Sequence, residues 1–189
     1  MSLMLRLALC VLMPIAWLTA ARAQPALSAF DFTFEAIEGM PMPLAGFRGK
    51  ALLVVNTASF CGFTHQYQGL QALHETYAAR GLVVIGVPSN DFGAQEPGSE
   101  AEIAKFCQGA FGVTFALTSK VAVKGSTAHP FFAWARRSLG DEAAPRWNFH
   151  KYLVGVDGRL IGAFPSKVAP NAPELIKAIE AALPVKTPS

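Results

Sequence analysis

Cys61 stands at a junction between a strongly apolar run and a segment with helical periodicity. Residues 51–55 are all aliphatic, and apolar side chains recur at helical spacing after Thr64. A cysteine that a buried strand delivers to the start of a helix is favoured as thiolate, because the free N–H groups of the first turn and the helix dipole stabilise negative charge. The thiolate is the nucleophilic form of cysteine. Cys61 is therefore the first candidate catalytic residue.

The residue three places after Cys61 distinguishes two kinds of thiol chemistry. A thioredoxin-type disulfide oxidoreductase carries a Cys-x-x-Cys pair at this point, whereas this chain carries Thr64. A lone thiolate is better suited to attack a peroxide than to shuttle between dithiol and disulfide. The spacing therefore favours peroxide chemistry at Cys61.

Two further segments could supply hydrogen-bonding groups to such a sulfur. Gln95 lies in a loop just beyond the apolar run 82–88, and sites of α/β proteins form at the carboxyl ends of parallel strands. Trp147 and Asn148 stand side by side before a later strand, and both side chains carry N–H donors. Taken alone, each segment also fits a structural interpretation. The first could be a simple turn, and the second a core tryptophan beside a turn-capping asparagine.

The order of the elements that must position these residues is that of an α/β protein. Residues 30–34 alternate apolar and polar like a strand, and the runs 51–56 and 82–88 predict strands buried on both faces. Between those two runs, residues 64–80 have helical periodicity and are followed by Gly81, which suits a helix end. The pattern predicts a β-α-β unit.

The rest of the chain continues this alternation. Residues 99–102 form a capping-box pattern that opens a second helix. Asp157-Gly158, between the apolar segments 152–156 and 160–164, predicts a β-hairpin, and a last helix begins at residues 171–174. Together these elements predict a thioredoxin-like α/β fold, with a central mixed β-sheet flanked by helices.

The first 23 residues have the pattern of a secretory signal peptide. Arg6 precedes the apolar stretch 7–17, and Ala21-Arg22-Ala23 offers a cleavage site with small residues. Pro14 interrupts the stretch, which is also short for a membrane span. We therefore expect residues 1–23 to be removed as the protein is exported, to the periplasm. Residues 24–189 would then form a single domain with no stable membrane span.

Charge and histidine content limit the other classes of function. Loss of the N-terminal segment would remove two arginines and no acidic residue, which lowers the formal net charge from +3 to +1. Charge therefore offers no argument for nucleic acid as a partner. Because no cysteine and histidine have convincing metal-ligand spacing, we expect no metal site. We interpret His74, His129 and His150 as surface residues.

Cys107 is the second cysteine of the predicted mature chain. With Ile103, Phe106 and Ala110 it follows the spacing of one helix face, which predicts that its side chain points into the core. Two cysteines in an exported protein are compatible with a structural disulfide, and a single buried cysteine is compatible with a small apolar core residue. The residues alone leave both interpretations open beside a catalytic one.

Three separated blocks of this chain resemble the signature blocks of the glutathione peroxidase family, in the same order. They are residues 55–64 around Cys61, residues 91–98 around Gln95, and Trp-Asn-Phe at residues 147–149. The similarity extends over residues 29–183, and three spaced blocks make it highly specific.

The resemblance implies a thioredoxin fold and reduction of hydrogen peroxide and of organic or lipid hydroperoxides, without a metal or organic cofactor. By residue match, Cys61 is the peroxidatic cysteine, and Gln95, Trp147 and Asn148 are its catalytic partners. Cys107 matches the resolving cysteine of thioredoxin-dependent members. A thioredoxin-like protein or glutathione would be the reductant, and the short stretch before Trp147 resembles that of monomeric members.

Two alternative functions stay open at this point. One is an exported thioredoxin-like protein that exchanges disulfides, which the missing Cys-x-x-Cys pair disfavours. The other is a non-catalytic domain held together by a permanent disulfide between Cys61 and Cys107. Consumption of hydroperoxide by the mature domain would separate both from a peroxidase.

Overall fold

The computed structural model describes residues 26–185, which contain seven strands and four α-helices. The strands are β1 (Thr33–Glu35), β2 (Pro41–Pro43), β3 (Ala51–Thr57), β4 (Leu82–Pro88), β5 (Ala116–Leu117), β6 (Lys151–Val154) and β7 (Leu160–Phe164). The α-helices are α1 (Gln66–Tyr77), α2 (Glu100–Phe111), α3 (Pro130–Leu139) and α4 (Pro173–Ala182). The predicted signal peptide lies outside the described residues.

A five-stranded mixed sheet forms the centre of the domain, with the strand order β5-β4-β3-β6-β7. β3 pairs in parallel with β4 and antiparallel with β6, so β3 is the middle strand. β6 and β7 form the hairpin that Asp157-Gly158 predicts, with Gly158 at a φ of 82° in the turn. The expectation of a central mixed sheet flanked by helices is confirmed.

The two long parallel strands carry the core on both of their faces. All seven residues of β3 are buried, as are six of the seven in β4. One face packs against α1, α2 and α4, with Tyr67, Ile103 and Ile179 among its buried contacts. The other face packs against α3, where Phe131 and Phe132 lie fully buried. Strands in such a position need aliphatic residues throughout, which is why β3 and β4 could be predicted.

The helix ends follow the sequence signals. Ser99 is the N-cap of α2, where its hydroxyl accepts the Glu102 N–H at 3.4 Å and its own N–H donates to the Glu102 carboxylate at 2.8 Å. These reciprocal bonds form the predicted capping box. Gly81 ends the turn of 3-10 helix that follows α1, in the left-handed conformation with a φ of 98°. Both ends therefore confirm the prediction from sequence.

Two parts of the fold differ from the sequence prediction. The strand expected at residues 30–34 is wrong in its position: Ala29–Asp31 is a 3-10 turn and the strand is Thr33–Glu35, which pairs with β2 in a separate two-stranded sheet. The Asp31 carboxylate accepts the Ser28 N–H at 2.7 Å, which stabilises the turn at that point. Helix α3 was not predicted at all, although Pro130 at its first position and its N-cap, His129, mark its start.

Within residues 26–185, the structure has no helix that is both long enough and apolar enough to span a bilayer.

Candidate active site

Cys61 lies in a tight turn between β3 and α1. The helix proper begins at Gln66, two residues later than the predicted start at residue 64, so Cys61 precedes it by a full turn of backbone. The Cys61 carbonyl accepts the Thr64 N–H at 3.0 Å, and the sulfur accepts the Phe63 N–H at 3.4 Å. The side chain is buried to all but 8%. A backbone donor aimed at the sulfur stabilises the thiolate as the helix terminus was expected to do.

Thr64 has a structural function where a disulfide oxidoreductase has its second cysteine. Its hydroxyl accepts the Cys61 N–H at 3.0 Å and donates to the Ala58 carbonyl at 2.9 Å. The side chain is 8% exposed. Thr64 therefore closes the turn around Cys61, and a cysteine there would lose the strong hydroxyl bonds that hold it.

The loop after β4 brings Gln95 beside the Cys61 turn. The Phe60 N–H donates to the Gln95 carbonyl at 3.0 Å, which ties the residue before Cys61 to this loop. Gly93 and Ala94 both have a positive φ, of 67° and 51°, and these conformations turn the chain back sharply before Gln95. The prediction that the two loops meet at one edge of the sheet is confirmed.

Asn148 bonds directly to Gln95. Its Nδ2 donates to Gln95 Oε1 at 3.0 Å and to the Phe92 carbonyl at 3.4 Å, and the side chain is fully buried. Because the amide oxygen of Gln95 accepts from Asn148, the NH2 group is the part of Gln95 that can serve another acceptor. Asn148 thus orients Gln95 as a donor.

Trp147 lies over the same loop. Its ring centroid is 5.9 Å from that of Phe92, and a Cβ placed on Gly93 would lie 3.5 Å from Trp147 Cη2 and 3.4 Å from Gln95 Cγ. The indole is 39% exposed, so it forms part of the surface around the site rather than the core. The purely structural interpretation of Trp147 as a buried core residue is therefore wrong.

The structure joins two of the predicted site residues, Gln95 and Asn148, by a hydrogen bond and places Trp147 beside the same loop. It joins that loop to the Cys61 turn through the backbone of Phe60. Whether their N–H donors converge on the Cys61 sulfur stays a prediction.

Asn56, which the sequence analysis did not select, holds the Trp147-Asn148 segment in place. Its Nδ2 donates to the Trp147 carbonyl at 3.1 Å, and its Oδ1 accepts the His150 N–H at 3.1 Å. The Asn56 carbonyl also accepts the Phe149 N–H at 2.6 Å, where Phe149 has a φ of 63°. A polar residue near the end of an otherwise aliphatic strand was the available signal.

Lys151 is a second functional candidate that the sequence analysis missed. It is fully buried, and its ammonium donates at 2.7 Å to Gln66 Oε1 and to the carbonyls of Phe149 and Val168. Burial lowers the pKa of Lys151 to about 7, because the ammonium loses its hydration there. The side chain connects the first residue of α1 to the segment that carries Asn148.

His150 is buried, with 4% of its surface exposed, so its interpretation as a surface residue is wrong. Its ring lies 4.8 Å from that of Tyr152. Burial, together with the neighbouring Lys151 charge, lowers the pKa of His150 to about 4. His150 is therefore neutral at physiological pH and adds no positive charge near the site.

Cys107 lies on the buried face of α2, as predicted, and is fully inaccessible. Both cysteines are free thiols. Burial raises the pKa of Cys107 to about 11, which keeps it protonated while α2 is packed. Cys107 and Cys61 share one core cluster but stand on different elements, and the structure does not join them.

Across residues 26–185, no group of three or more His, Cys, Asp or Glu side chains is arranged to hold a metal ion.

Comparison with known proteins places these features in a family. A family model described as glutathione peroxidase matches residues 29–136. The chain is 44% identical over 157 residues to a hydroperoxy fatty acid reductase of Synechocystis sp., and the match covers 79% of this chain and 93% of that protein.

Solved structures agree with the sequence comparison. The crystal structure of Trgpx in apo form superimposes with a TM-score of 0.65 at 34% identity, and the match covers 82% of this chain and 97% of that one. A thiol:disulfide interchange protein of the thioredoxin family from Chlorobium tepidum superimposes with a TM-score of 0.59 at 16% identity, over 80% of this chain and 92% of that one. The second likeness shows the fold alone, which confirms the thioredoxin-like architecture.

Proposed function

The chain belongs to the glutathione peroxidase family, and we propose that it is a thiol peroxidase whose nucleophile is Cys61. The observation that carries the proposal is the hydrogen-bonded pair of Gln95 and Asn148, with Trp147 beside the same loop, which the Phe60–Gln95 backbone bond fixes to the turn bearing Cys61. Neither alternative from the sequence is favoured, because the second cysteine of a disulfide-exchange pair is replaced by Thr64 and both cysteines are free.

The first step is attack of the Cys61 thiolate on one oxygen of the hydroperoxide. The sulfur–oxygen bond forms as the oxygen–oxygen bond breaks, which leaves a sulfenic acid on Cys61 and releases an alkoxide or hydroxide. That leaving group takes a proton and departs as alcohol or water. Cys61 has lost two electrons and the peroxide has gained them.

The hydrogen-bonded amide pair of Gln95 and Asn148 helps to stabilise the negative charge of the reaction. The free NH2 of Gln95 and the indole N–H of Trp147 are donors, first for the thiolate and then for the leaving oxygen. Asn148 fixes Gln95 through its 3.0 Å bond, so the donor needs little reorganisation during the reaction.

The second step is resolution by Cys107. The Cys107 thiolate attacks the sulfur of the Cys61 sulfenic acid, the sulfur–oxygen bond breaks, and water leaves as a disulfide forms. The cysteines occupy different elements, so α2 must open for the sulfurs to meet. Ile103 and Cys107 are the fully buried residues of α2, Phe106 and Phe111 pack half-buried against the core, and Gly112 ends the helix, so local opening exposes one helix face rather than the centre of the domain.

We assign the disulfide to reduction by a thioredoxin-like dithiol in preference to glutathione, because an intramolecular disulfide is the natural substrate of a dithiol. Hydrogen peroxide and organic or lipid hydroperoxides are the proposed substrates. The name of the Synechocystis relative, a hydroperoxy fatty acid reductase, supports a lipid hydroperoxide among them. We further propose that the protein acts as a monomer.

Hydroperoxide consumption by purified residues 24–189 tests the function directly. Turnover should be measured with a thioredoxin system and then with glutathione as the only reductant, and with hydrogen peroxide and a fatty acid hydroperoxide as substrates. A peroxidase consumes peroxide catalytically in at least one arm. A protein that only exchanges disulfides or only has a structural function consumes none beyond its thiol content.

Gln95→Ala should slow oxidation of Cys61 by about 100- to 1000-fold, since an aimed donor at a developing anion is typically worth about 2.7–4 kcal/mol. Asn148→Ala should slow the same step, because Gln95 loses the partner that orients it. The rate is measured by single-turnover peroxide consumption. Gln68→Ala is the matched control, since Gln68 is an exposed glutamine on α1.

If both variants oxidise at the rate of the Gln68→Ala control, the assignment of this amide pair to the reaction is refuted.

Export of the protein is also part of the proposal, with residues 1–23 removed as a signal peptide. The full chain, expressed in a Gram-negative host, should appear in the periplasmic fraction with Gln24 as its first residue. Mass spectrometry of the intact protein measures the cleavage site. A chain that starts at Gln24 by design should stay in the cytoplasm, and retention of Met1–Ala23 on the full chain would contradict the proposal.

A further inference from the structure

Five buried oxygen atoms without hydrogen-bond partners mark a region that the steps above do not use. They are Thr57 Oγ1, Ser59 Oγ, Tyr67 OH and both carboxylate oxygens of Glu96. Glu96 is fully buried. Buried polar atoms without partners are rare and costly, and several from different elements in one region indicate a function rather than packing.

These atoms belong to one cluster, which also includes Cys107. The Tyr67 hydroxyl lies near enough to Thr57 and to the Cys107 thiol to shift its pKa, and the Glu96 carboxyl lies near Ser59, although none of these pairs reaches hydrogen-bond geometry. Burial first, and then the Glu96 charge, raise the pKa of Cys107. The Glu96 carboxyl therefore acts electrostatically on the ionisation of the Cys107 thiol.

The cluster lies between the two cysteine-bearing segments. Ser59 is two residues before Cys61, and a cavity of about 390 Å³ is lined by Ser59 and Glu96 on one side and by Ile103 and Phe106 of α2 on the other. The Phe60 and Phe106 rings lie 6.4 Å apart across this gap. The cavity therefore separates the Cys61 segment from the helix that carries Cys107.

The Glu96 carboxylate has no counter-ion bound to it. The nearby cation, Lys120, donates at 3.1 Å to the Glu96 carbonyl and at 2.6 Å to the Gly98 carbonyl, rather than to the carboxylate. Burial raises the pKa of Glu96 above the ordinary carboxyl value, because the anion is desolvated. Ser59 and Lys120 offset part of that rise in pKa, and the desolvated carboxylate is still a stronger base than an exposed one.

We propose that Glu96 is the proton acceptor for Cys107 in the resolving step, an inference that rests on the proposed function. Glu96 takes the proton from the Cys107 thiol, directly or through the Tyr67 hydroxyl. The resulting thiolate attacks the sulfur of the Cys61 sulfenic acid, and the sulfur–oxygen bond breaks. The proton on Glu96 then neutralises the departing hydroxide as water, so the carboxylate is restored and atoms and charge balance.

The titratable and charged groups that face Glu96 are Cys107, Tyr67 and Lys120, and Glu102 lies on the wall of the cavity. Between the raised pKa of Glu96 and that of Cys107, where the carboxylate is ionised and the thiol protonated, disulfide formation should be nearly independent of pH. Without the carboxylate, the rate must follow the fraction of Cys107 that ionises by itself, which rises about tenfold per pH unit below its pKa.

The test uses the reduced mature protein, residues 24–189, and the isosteric variant Glu96→Gln. One equivalent of hydrogen peroxide is added, and the Cys61–Cys107 disulfide is followed by acid quench and mass spectrometry at several pH values. At pH 7 the variant should form the disulfide at least about tenfold more slowly, within the range known for general bases. Its rate should also acquire the steep pH dependence, while sulfenic acid formation at Cys61 is recorded in the same samples.

Glu102→Gln is the matched control, because it removes one negative charge from the same cavity while leaving Glu96 in place. It weakens the capping box of α2, so it should leave disulfide formation unchanged or faster. Glu96→Asp keeps a carboxylate and should keep the flat pH profile at a reduced rate, which separates proton transfer from packing.

A Glu96→Gln protein with the wild-type rate and a flat profile would overturn the inference and leave the proposed function intact. The same holds if Glu96→Asp shows the steep profile of a chain without a base. If the wild-type chain forms the sulfenic acid but no disulfide, the resolving step of the proposed function fails together with the inference.

Discussion

Cys61→Ser should lower hydroperoxide turnover by roughly three orders of magnitude or more, which would leave no activity above background. A serine hydroxyl stays protonated at neutral pH, whereas the thiolate is the species that attacks the peroxide. The Phe63 N–H, 3.4 Å from the sulfur, stabilises a negative charge on that atom, and a protonated serine hydroxyl carries no such charge. Peroxide consumption with saturating reductant measures the loss.

The substitution should leave the fold unchanged, because serine is only slightly smaller than cysteine and the hydrogen bonds of Thr64 still close the turn. Thermal unfolding followed by circular dichroism supplies that control. Turnover within a few-fold of the wild type in a folded Cys61→Ser protein would refute the whole assignment, since within residues 26–185 the other cysteine, Cys107, lies inside a helix and not between a strand and a helix.

The sequence was sufficient to predict the parts of the fold that local chemistry determines. β3 and β4 are buried on both faces and need aliphatic residues throughout. Ser99 and Glu102 bond to each other, so the start of α2 is determined by residues three apart. The position of Gln95 beyond the carboxyl end of β4 could also be predicted, because the topology of parallel strands determines where the loops that follow them meet.

Contacts between residues distant in sequence could not be predicted in this way. A lysine is ordinarily exposed. Only the folded chain places three acceptors around the Lys151 ammonium. Asn56 bonds to Trp147 across 91 residues. Residue type alone predicts a surface position for His150, and only the packing of the folded chain buries it. Pattern analysis reaches these positions only when the partner segments are known.

The Glu96 cluster shows the same limit at the candidate site. The sequence places Glu96 in a turn beside Gln95, where a carboxylate is ordinarily exposed. The loop buries it instead, with its N–H donating to Asn90 Oδ1 at 2.8 Å and its carboxylate without a donor. A residue whose burial differs from what its type predicts is a candidate functional residue.

The second large effect concerns the resolving cysteine. Cys107→Ser should consume one equivalent of peroxide and then stop, or oxidise further at Cys61, when a thioredoxin system is the reductant. Without the Cys107 thiol no intramolecular disulfide forms, and the sulfenic acid is left exposed to more peroxide. Steady-state turnover with thioredoxin should therefore fall by about 100-fold or more, whereas the first turnover keeps its rate.

The oxidised wild-type protein should contain one Cys61–Cys107 disulfide, detected as a change in mobility on non-reducing gels and by peptide mass spectrometry. A disulfide requires Cα atoms within about 7 Å, and Cys107 is packed on the inner face of α2. Oxidation should therefore increase hydrogen exchange across residues 100–111 before the disulfide closes. Thioredoxin should reduce the product faster than glutathione does.

Cys107→Ser also separates a catalytic thiol from a core residue. Serine is nearly isosteric with cysteine but places an unpaired hydroxyl in the core, so the variant should be somewhat less stable whichever role Cys107 has. A loss of stability therefore does not distinguish the two roles of Cys107. The stoichiometry of peroxide consumption distinguishes them. If the folded variant cycles with thioredoxin at the wild-type rate, Cys107 is only a small apolar residue of α2 and Cys61 is reduced without a resolving partner.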